Sequence, residues 1–280
     1  MFSELDSVPF AVSEALAEDF DEIMGYLKSK LPFSVNMAAS IRDYPERCRV
    51  MVAHQGNLIA GVLVEFHSTY NSHIWLDPII WITGNSEVAS ILMRERGYGR
   101  SIIISQVDFS WLIPPEMPEI RVFEEFIMSV RSKKFSEKEI DPHLKVRRME
   151  ISEAEDSLKF SGYDVELIDH IAKEKEENFL RERLCFGLYS DGQLASRGAI
   201  MSITEDYASV GAFFTLKVLR NKGYGIAIVS EVINQASAKS QNACLFVRST
   251  NANAISLYSK LGFEIVGKAY FTDLGTGLMP

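Results

Sequence analysis

The stretch that most limits what this chain can fold into is Leu219-Arg220-Asn221-Lys222-Gly223-Tyr224-Gly225-Ile226-Ala227. Residues 208–215 ahead of it are apolar and aromatic, as a buried strand requires. Behind it Val229, Val232, Ile233 and Ala236 recur with the spacing of an amphipathic helix. The stretch therefore reads as a strand-to-helix turn. Its two glycines let backbone N–H groups converge without Cβ obstruction, and the unpaired donors and dipole of a helix start favour a phosphate or pyrophosphate there. Arg220 and Lys222 add positive charge.

The same Arg-x-x-Gly-x-Gly spacing occurs at Arg94-Glu95-Arg96-Gly97-Tyr98-Gly99, with the flanks reversed. Helical spacing at Val88, Ile91 and Leu92 precedes those glycines, and the β-branched run at Ile102, Ile103 and Ile104 follows them. That order predicts a helix closed by a glycine cap and then a strand, with no second phosphate turn.

With 280 residues, 47% hydrophobic and 24% charged, the chain has the composition of a folded protein of one large or two ordinary domains. A net charge of -9 and a pI near 5.2 speak against non-specific nucleic-acid binding, which needs a basic face. No apolar run has the length of a membrane span, and the acidic start differs from a secretory leader, so the expectation is a cytoplasmic protein. Cys48, Cys185 and Cys244 are widely spaced among apolar neighbours and read as structural thiols, and no His/Cys cluster suggests a metal.

In chain order the pattern predicts a helix over 13–30 capped by Ser13, then a hairpin turning at Gln55-Gly56-Asn57 and a further strand over 73–82. Residues 111–142 read as a linker with a short helix through Phe123, Phe126, Ile127 and Val130. A strand from Lys145 and helical sequence over 152–183 come next. Asp191-Gly192 between alternating runs marks a second hairpin. Strand 208–215, the turn and its helix, strand 244–247, a helix through Leu257 and a last strand from Phe263 complete the chain. Helix, hairpin, strand, helix, strand thus occurs twice, which gives a mixed α/β fold of two similar domains, 1–142 and 143–280.

The second half resembles the GNAT superfamily of acyl-CoA-dependent N-acyltransferases. Two motifs carry the likeness: Arg220-Asn-Lys-Gly223-Tyr-Gly225 at the turn, and Asn251-Ala-Asn-Ala254-Ile-Ser-Leu257-Tyr258-Ser-Lys-Leu-Gly262-Phe263 downstream. The resemblance implies tandem GNAT-like units, each a mixed, mostly antiparallel sheet flanked by helices. It implies that Arg220, Asn221, Lys222, Gly223, Tyr224, Gly225 and Ile226 cradle the pyrophosphate of acetyl-CoA or another acyl-CoA. Main-chain groups of Phe213, Phe214 and Thr215 would pair with the pantetheine arm, Asn251 would bond the cofactor, and Tyr258 would stand near the thioester sulfur. Because Thr83-Gly84-Asn85-Ser86 lacks the glycine turn, the first half would be a degenerate copy, similar to the glycine N-acyltransferase-like branch, with residues 67–73 as scaffold or acceptor-pocket wall.

The chemistry then expected is attack of a primary amine, on a small molecule or a peptide, at the thioester carbonyl. Tyr258 is open to two roles, proton donor to the leaving sulfur or core tyrosine. Asn251 can also serve as a helix N-cap. Strand 208–215 carries no titratable side chain, so Glu205 just upstream is the candidate base, or else a solvated hairpin residue. A CoA-binding sensor without turnover is the rival reading. A nucleotide enzyme is disfavoured by the missing Gly-Lys-Ser/Thr and Gly-x-Gly-x-x-Gly spacings.

Overall fold

Two glycine turns show how local chemistry sets the frame. Gly56, at φ 61°, closes a hairpin between β2 (Cys48–Gln55) and β3 (Leu58–Phe66). Asp191 and Gly192, at φ 52° and 80°, close another between β8 (Leu184–Ser190) and β9 (Gln193–Ile203), the paired positive φ values of a turn whose twist suits a hairpin. The computed structural model describes residues 9–68, 78–108, 111, 113, 120–131, 145–161 and 170–274. These pack as two units, one holding described residues up to 125 together with 268–274, the other holding 126–267.

The first unit has strands in the order β1-β2-β3-β4-β5-β12, where β1 is Phe10–Glu14, β4 Ile79–Ile82, β5 Ser101–Ser105 and β12 Glu264–Leu274. Neighbours are antiparallel except β4 and β5, which run parallel from Ile79↔Ile102 to Ile82↔Ser105. That parallel step needs a crossover, which α3 (Ser86–Arg96) supplies. Gly97 at φ 85° caps α3 and its N–H bonds Met93 O, so the second Arg-x-x-Gly-x-Gly spacing does end a helix. Helices α1 (Phe20–Ser29) and α2 (Val35–Asp43) complete the unit, and Ile23 and Leu27 of α1 are fully buried.

Ser13 is not a helix cap. It lies in β1 opposite Val52, and α1 starts only at Phe20. The start signal is Asp19, whose Oδ2 accepts the Leu16 N–H at 2.8 Å. The helix expected through Phe123 and Val130 is likewise absent: Ile120–Arg131 form the strand β6. Apolar residues three and four apart also satisfy a strand covered on both faces, and Ile120, Val122, Ile127 and Val130 are β-branched. His73 and most of the expected linker lie outside the described residues, and the described His67 Nε2 stands 3.7 Å from Glu65 Oε1.

In the second unit the strand order is β6-β11-β10-β9-β8-β7, with β7 Lys145–Arg148, β10 Tyr207–Thr215 and β11 Asn242–Arg248. β7 through β10 are antiparallel, and β10 and β11 run parallel through the crossover helix α6 (Tyr224–Ala236). Helix α7 (Ala252–Lys260) follows β11, and α4 (Ala154–Phe160) and α5 (His170–Glu182) precede β8. The spacing read for α6 is its buried stripe: Val229, Val232, Ile233 and Ala236 are all at or below 1% exposure. Each such Val or Ile side chain contributes about 1.5–3 kcal/mol of transfer free energy. The whole is a mixed α/β fold with helix-flanked, mostly antiparallel sheets. Among the described residues no helix is long and apolar enough to cross a membrane.

Candidate active site

β10 ends at Thr215, a short 3-10 turn covers Lys217–Leu219, and Gly223 caps α6 from the left-handed region at φ 86°. Asn221 also has positive φ, 62°, so the backbone reverses twice within three residues. The first bond of α6 joins Ala227 N–H to Gly223 O at 3.0 Å. The N–H groups of Tyr224, Gly225 and Ile226 therefore precede the helical ladder and lack intrahelical acceptors. A Cβ built on Gly223 would meet nothing within 4 Å, so the capping glycine faces open space. Gly225 serves a different end, since a Cβ there would lie 2.9 Å from Leu257 Cδ1, where α7 closes on α6.

Charge around the turn is divided. Arg220 donates from Nε to Thr215 O at 3.1 Å and its guanidinium sits 5.8 Å from the Phe214 ring centroid, so it orders the turn. Lys222 is exposed and Tyr224 donates its hydroxyl to Ser190 Oγ at 3.3 Å, tying the start of α6 to the β8–β9 hairpin. The residues from Arg220 to Ile226 are thus gathered at one helix start.

The strand feeding this turn is opened and bent. Its parallel ladder with β11 runs from Tyr207↔Asn242 to Ser209↔Cys244 and includes no later pair, although both strands continue. Against β9 the register shifts between Gly211↔Ala199 and Phe214↔Arg197, where three steps on β10 face two on β9. Ala212, inside this bulge, has φ 53°, a strained value for a residue with a Cβ. The bulge lies beside the diverging parallel pair, at the end of β10 that carries Phe213, Phe214 and Thr215, where Phe214 O accepts from Ser196 Oγ at 2.9 Å.

Asn251 caps α7, its Oδ1 accepting from Ala254 N at 3.2 Å, which leaves the amide Nδ2 for another partner. Tyr258, on the next turn of α7, is 9% exposed, with ring centroids of Phe213 and Phe263 at 6.1 and 5.9 Å. Burial pushes its phenol up to about 12, so it stays protonated in neutral solution. Tyr258 is therefore both core tyrosine and neighbour of the bulge.

Glu205 does not join them. It precedes β10 at the end where β10 and β11 remain paired, and its carbonyl accepts from Gln241 N beyond the C-terminus of α6. The turn lies at the opposite end of this helix of 13 residues, about 20 Å away at 1.5 Å per residue. Glu205 thus stands before the paired end of β10, apart from the bulge and the turn.

The crossover helix of the first unit starts differently. The β4–β5 ladder is continuous, and Asn85 Oδ1 accepts from Val88 N at 2.9 Å and caps α3 with a side chain. Val88 Cγ1 lies 2.4 Å and 2.8 Å from Cβ positions built on Gly61 and Gly84, so the start of α3 packs tightly on β3 and on the residue before its cap.

Among the described residues no group of three or more His, Cys, Asp or Glu can hold a metal ion. The thiols of Cys48 and Cys185 are raised to about 12 and that of Cys244 is raised further, chiefly by burial, in keeping with structural roles. The bulge is not legible in the sequence, because a positive φ at Ala212 has no glycine to announce it. Nor is a buried ion pair, Arg197 with Glu176, on the strand that faces the bulge.

Residues 185–272, from β8 to β12, match the family model described as FR47-like protein. No curated protein matches the chain. Among solved structures, a Drosophila protein aligns with a TM-score of 0.69 at 12% identity, over 95% of this chain and 99% of its own. A GCN5-related N-acetyltransferase-like protein from Streptococcus suis gives 0.58 at 14% identity over 92% and 99%. A tandem GNAT protein from the clavulanic acid biosynthesis pathway gives 0.57 at 13% over 96% and 100%. The chain has the GNAT fold. Within that fold the matched segment holds the opened strand, the glycine turn and α7, the elements that make up the candidate site.

Proposed function

We propose that the chain is an acyl-CoA-dependent N-acyltransferase of the GNAT superfamily, moving acetyl from acetyl-CoA to a primary amine of a small molecule or peptide. The observation that carries this is the meeting, in one unit, of an open glycine-capped helix start and a bulged strand end that has left its partner. A helix start alone binds anions, and an open strand edge alone accepts an extended chain. An acyl-CoA presents both, a pyrophosphate followed by an extended amide-bearing arm.

In this reading N–H groups from Asn221 to Ile226, with Lys222, hold the pyrophosphate, and Arg220 keeps the turn in shape. Main-chain groups of Phe213, Phe214 and Thr215 hold the arm, and Asn251 Nδ2 adds a bond. The bound cosubstrate supplies an activated thioester. Backbone N–H at the bulge stabilises negative charge developing on the carbonyl oxygen as the amine attacks, and the Tyr258 hydroxyl delivers a proton to the departing sulfur. β10 carries no carboxylate or imidazole, so the amine enters neutral or loses its proton to water. An overall charge of -9 suits a cationic acceptor. The first unit, whose crossover helix is capped by the Asn85 side chain, serves as a degenerate copy, as in the glycine N-acyltransferase-like branch.

The same bare strand would suit a protein that binds acyl-CoA without transferring it, and turnover separates the two. CoA release from acetyl-CoA is measured against glycine, lysine, spermidine and a short peptide. Release with one of these supports transfer, while tight binding without release supports a sensor. Thermal stabilisation by ATP or NAD with none by acetyl-CoA contradicts both.

A further inference from the structure

The strand opposite the bulge carries a buried polar cluster that the acyl-CoA reading leaves unused. Arg197 of β9, Glu176 of α5 and Ser157 of α4 are 6%, 1% and 0% exposed. Glu176 Oε1 accepts from Arg197 Nη1 at 2.8 Å and from Ser157 Oγ at 2.7 Å, and Arg197 Nη1 also donates to Ser157 Oγ. Three side chains from three elements thus meet at one point.

As a stabilising device the cluster is poorly built. Glu176 Oε2 and Arg197 Nε are buried with no hydrogen-bond partner, and a half-satisfied buried ion pair gives little or nothing over apolar packing. What such a pair does supply is direction, which apolar contacts lack. Its place gives that direction a use. Arg197 pairs with Phe214, the first residue after the bulge, and Ala199 pairs with Gly211, the last before it. Strained Ala212 packs beside Met149, Phe179 and Cys185 on this same face. From α4, Phe160 meets Phe214 edge-on at 5.2 Å, and Phe214 is 37% exposed, so its ring reaches the surface of the opened strand end.

We infer that Ser157, Glu176 and Arg197 are positioning residues: they lock α4 and α5 to β9 so that the bulge and the Phe160–Phe214 wall hold the amine acceptor in line with the bulge N–H groups. This rests on the acyltransfer reading, and the cluster stands on the side of the sheet away from the α6 packing. It predicts a defect in acceptor use and turnover and not in binding of acetyl-CoA.

The test uses the full chain with Glu176→Leu and Arg197→Met together, which removes both charges and leaves neither unpaired. With acetyl-CoA and the fastest amine of the panel above, kcat falls about ten-fold or more and the amine KM rises about five-fold, while the Kd for acetyl-CoA stays within about two-fold. Arg197→Lys, which keeps the charge pair, retains kcat within about three-fold. Hydrogen exchange over 208–215 quickens about ten-fold in the double variant while 224–236 is unchanged. Unchanged kcat and amine KM in the folded double variant overturn the inference, and so does loss of acetyl-CoA affinity with the amine KM intact. Should the double variant not fold, Ser157→Ala must raise the amine KM about three-fold, and no change overturns the proposal. A parent inactive with every amine ends the acyltransfer reading instead, and unaltered exchange over 208–215 then decides against the positioning role by itself.

Discussion

Tyr258 joins packing and chemistry in a single side chain. Its ring belongs to the core of the second unit, and its hydroxyl carries no hydrogen bond to the described residues. Removing that oxygen should therefore leave stability nearly unchanged and lower kcat by about 10²-fold, the usual range for a lost general acid. Full turnover by Tyr258→Phe would leave the residue a packing element only. Because burial raises the phenol to about 12, its proton is kept as pH rises through the neutral and mildly basic range, so no basic limb below about pH 10 belongs to it.

Glu153 gives a residue-level prediction about stability. It takes two bonds from Arg147, at 2.8 and 2.9 Å, one from Glu150 N–H and one from Tyr189 OH. Arg147 first, and the other donors after it, lower its carboxyl from 4.5 to about 2. A depressed folded value means stabilisation present in full above the unfolded value and lost as pH falls through the folded one. Solvent around the half-exposed Arg147 weakens the pair, so Glu153→Gln should cost about 1–2 kcal/mol at pH 7. The gap between variant and parent should narrow in denaturation curves taken from about pH 5 down to about pH 2. A gap independent of pH would place the cost elsewhere.

Among the elements, legibility followed the range of the cause. Asn221, Gly223 and Gly225 are local signals of a turn, and the order of strand and helix around them distinguished that turn from the similar spacing at Arg94–Gly99. The Asn251 cap and the Asp191-Gly192 turn were legible for the same reason. β6 was not, because the spacing of Phe123, Phe126, Ile127 and Val130 fits a helix as well as a doubly covered strand, and only distant partners choose. The bulge depends on β9 and on its departure from β11, which local sequence does not record. Gly198 shows the dependence from the other side: a Cβ there would lie 2.4 Å from Phe213 Cδ1 and Cε1. Gly198→Ala should therefore overpack the contact of β9 with the bulge and cost about 1–3 kcal/mol in thermal denaturation. A neutral outcome would show that the Phe213 ring is free to move.

At the scale of the whole molecule, the recurrence of helix, hairpin, strand, helix and strand was legible because each element has its own period and turn residues. The pairing of Tyr270 to Leu274 with β5 was not, since these segments lie far apart in the chain and no local feature of either names the other. The two units share an order of elements and differ at the crossover helix. One helix start is capped by Gly223, which faces open space, and the other by the Asn85 side chain, which takes the Val88 N–H. Titration calorimetry of acetyl-CoA into the full chain measures that difference. One acetyl-CoA is expected to bind per chain, with binding abolished by Gly223→Glu in a variant that still unfolds cooperatively. Two equivalents per chain, or one equivalent whose affinity Gly223→Glu leaves unchanged, would contradict it.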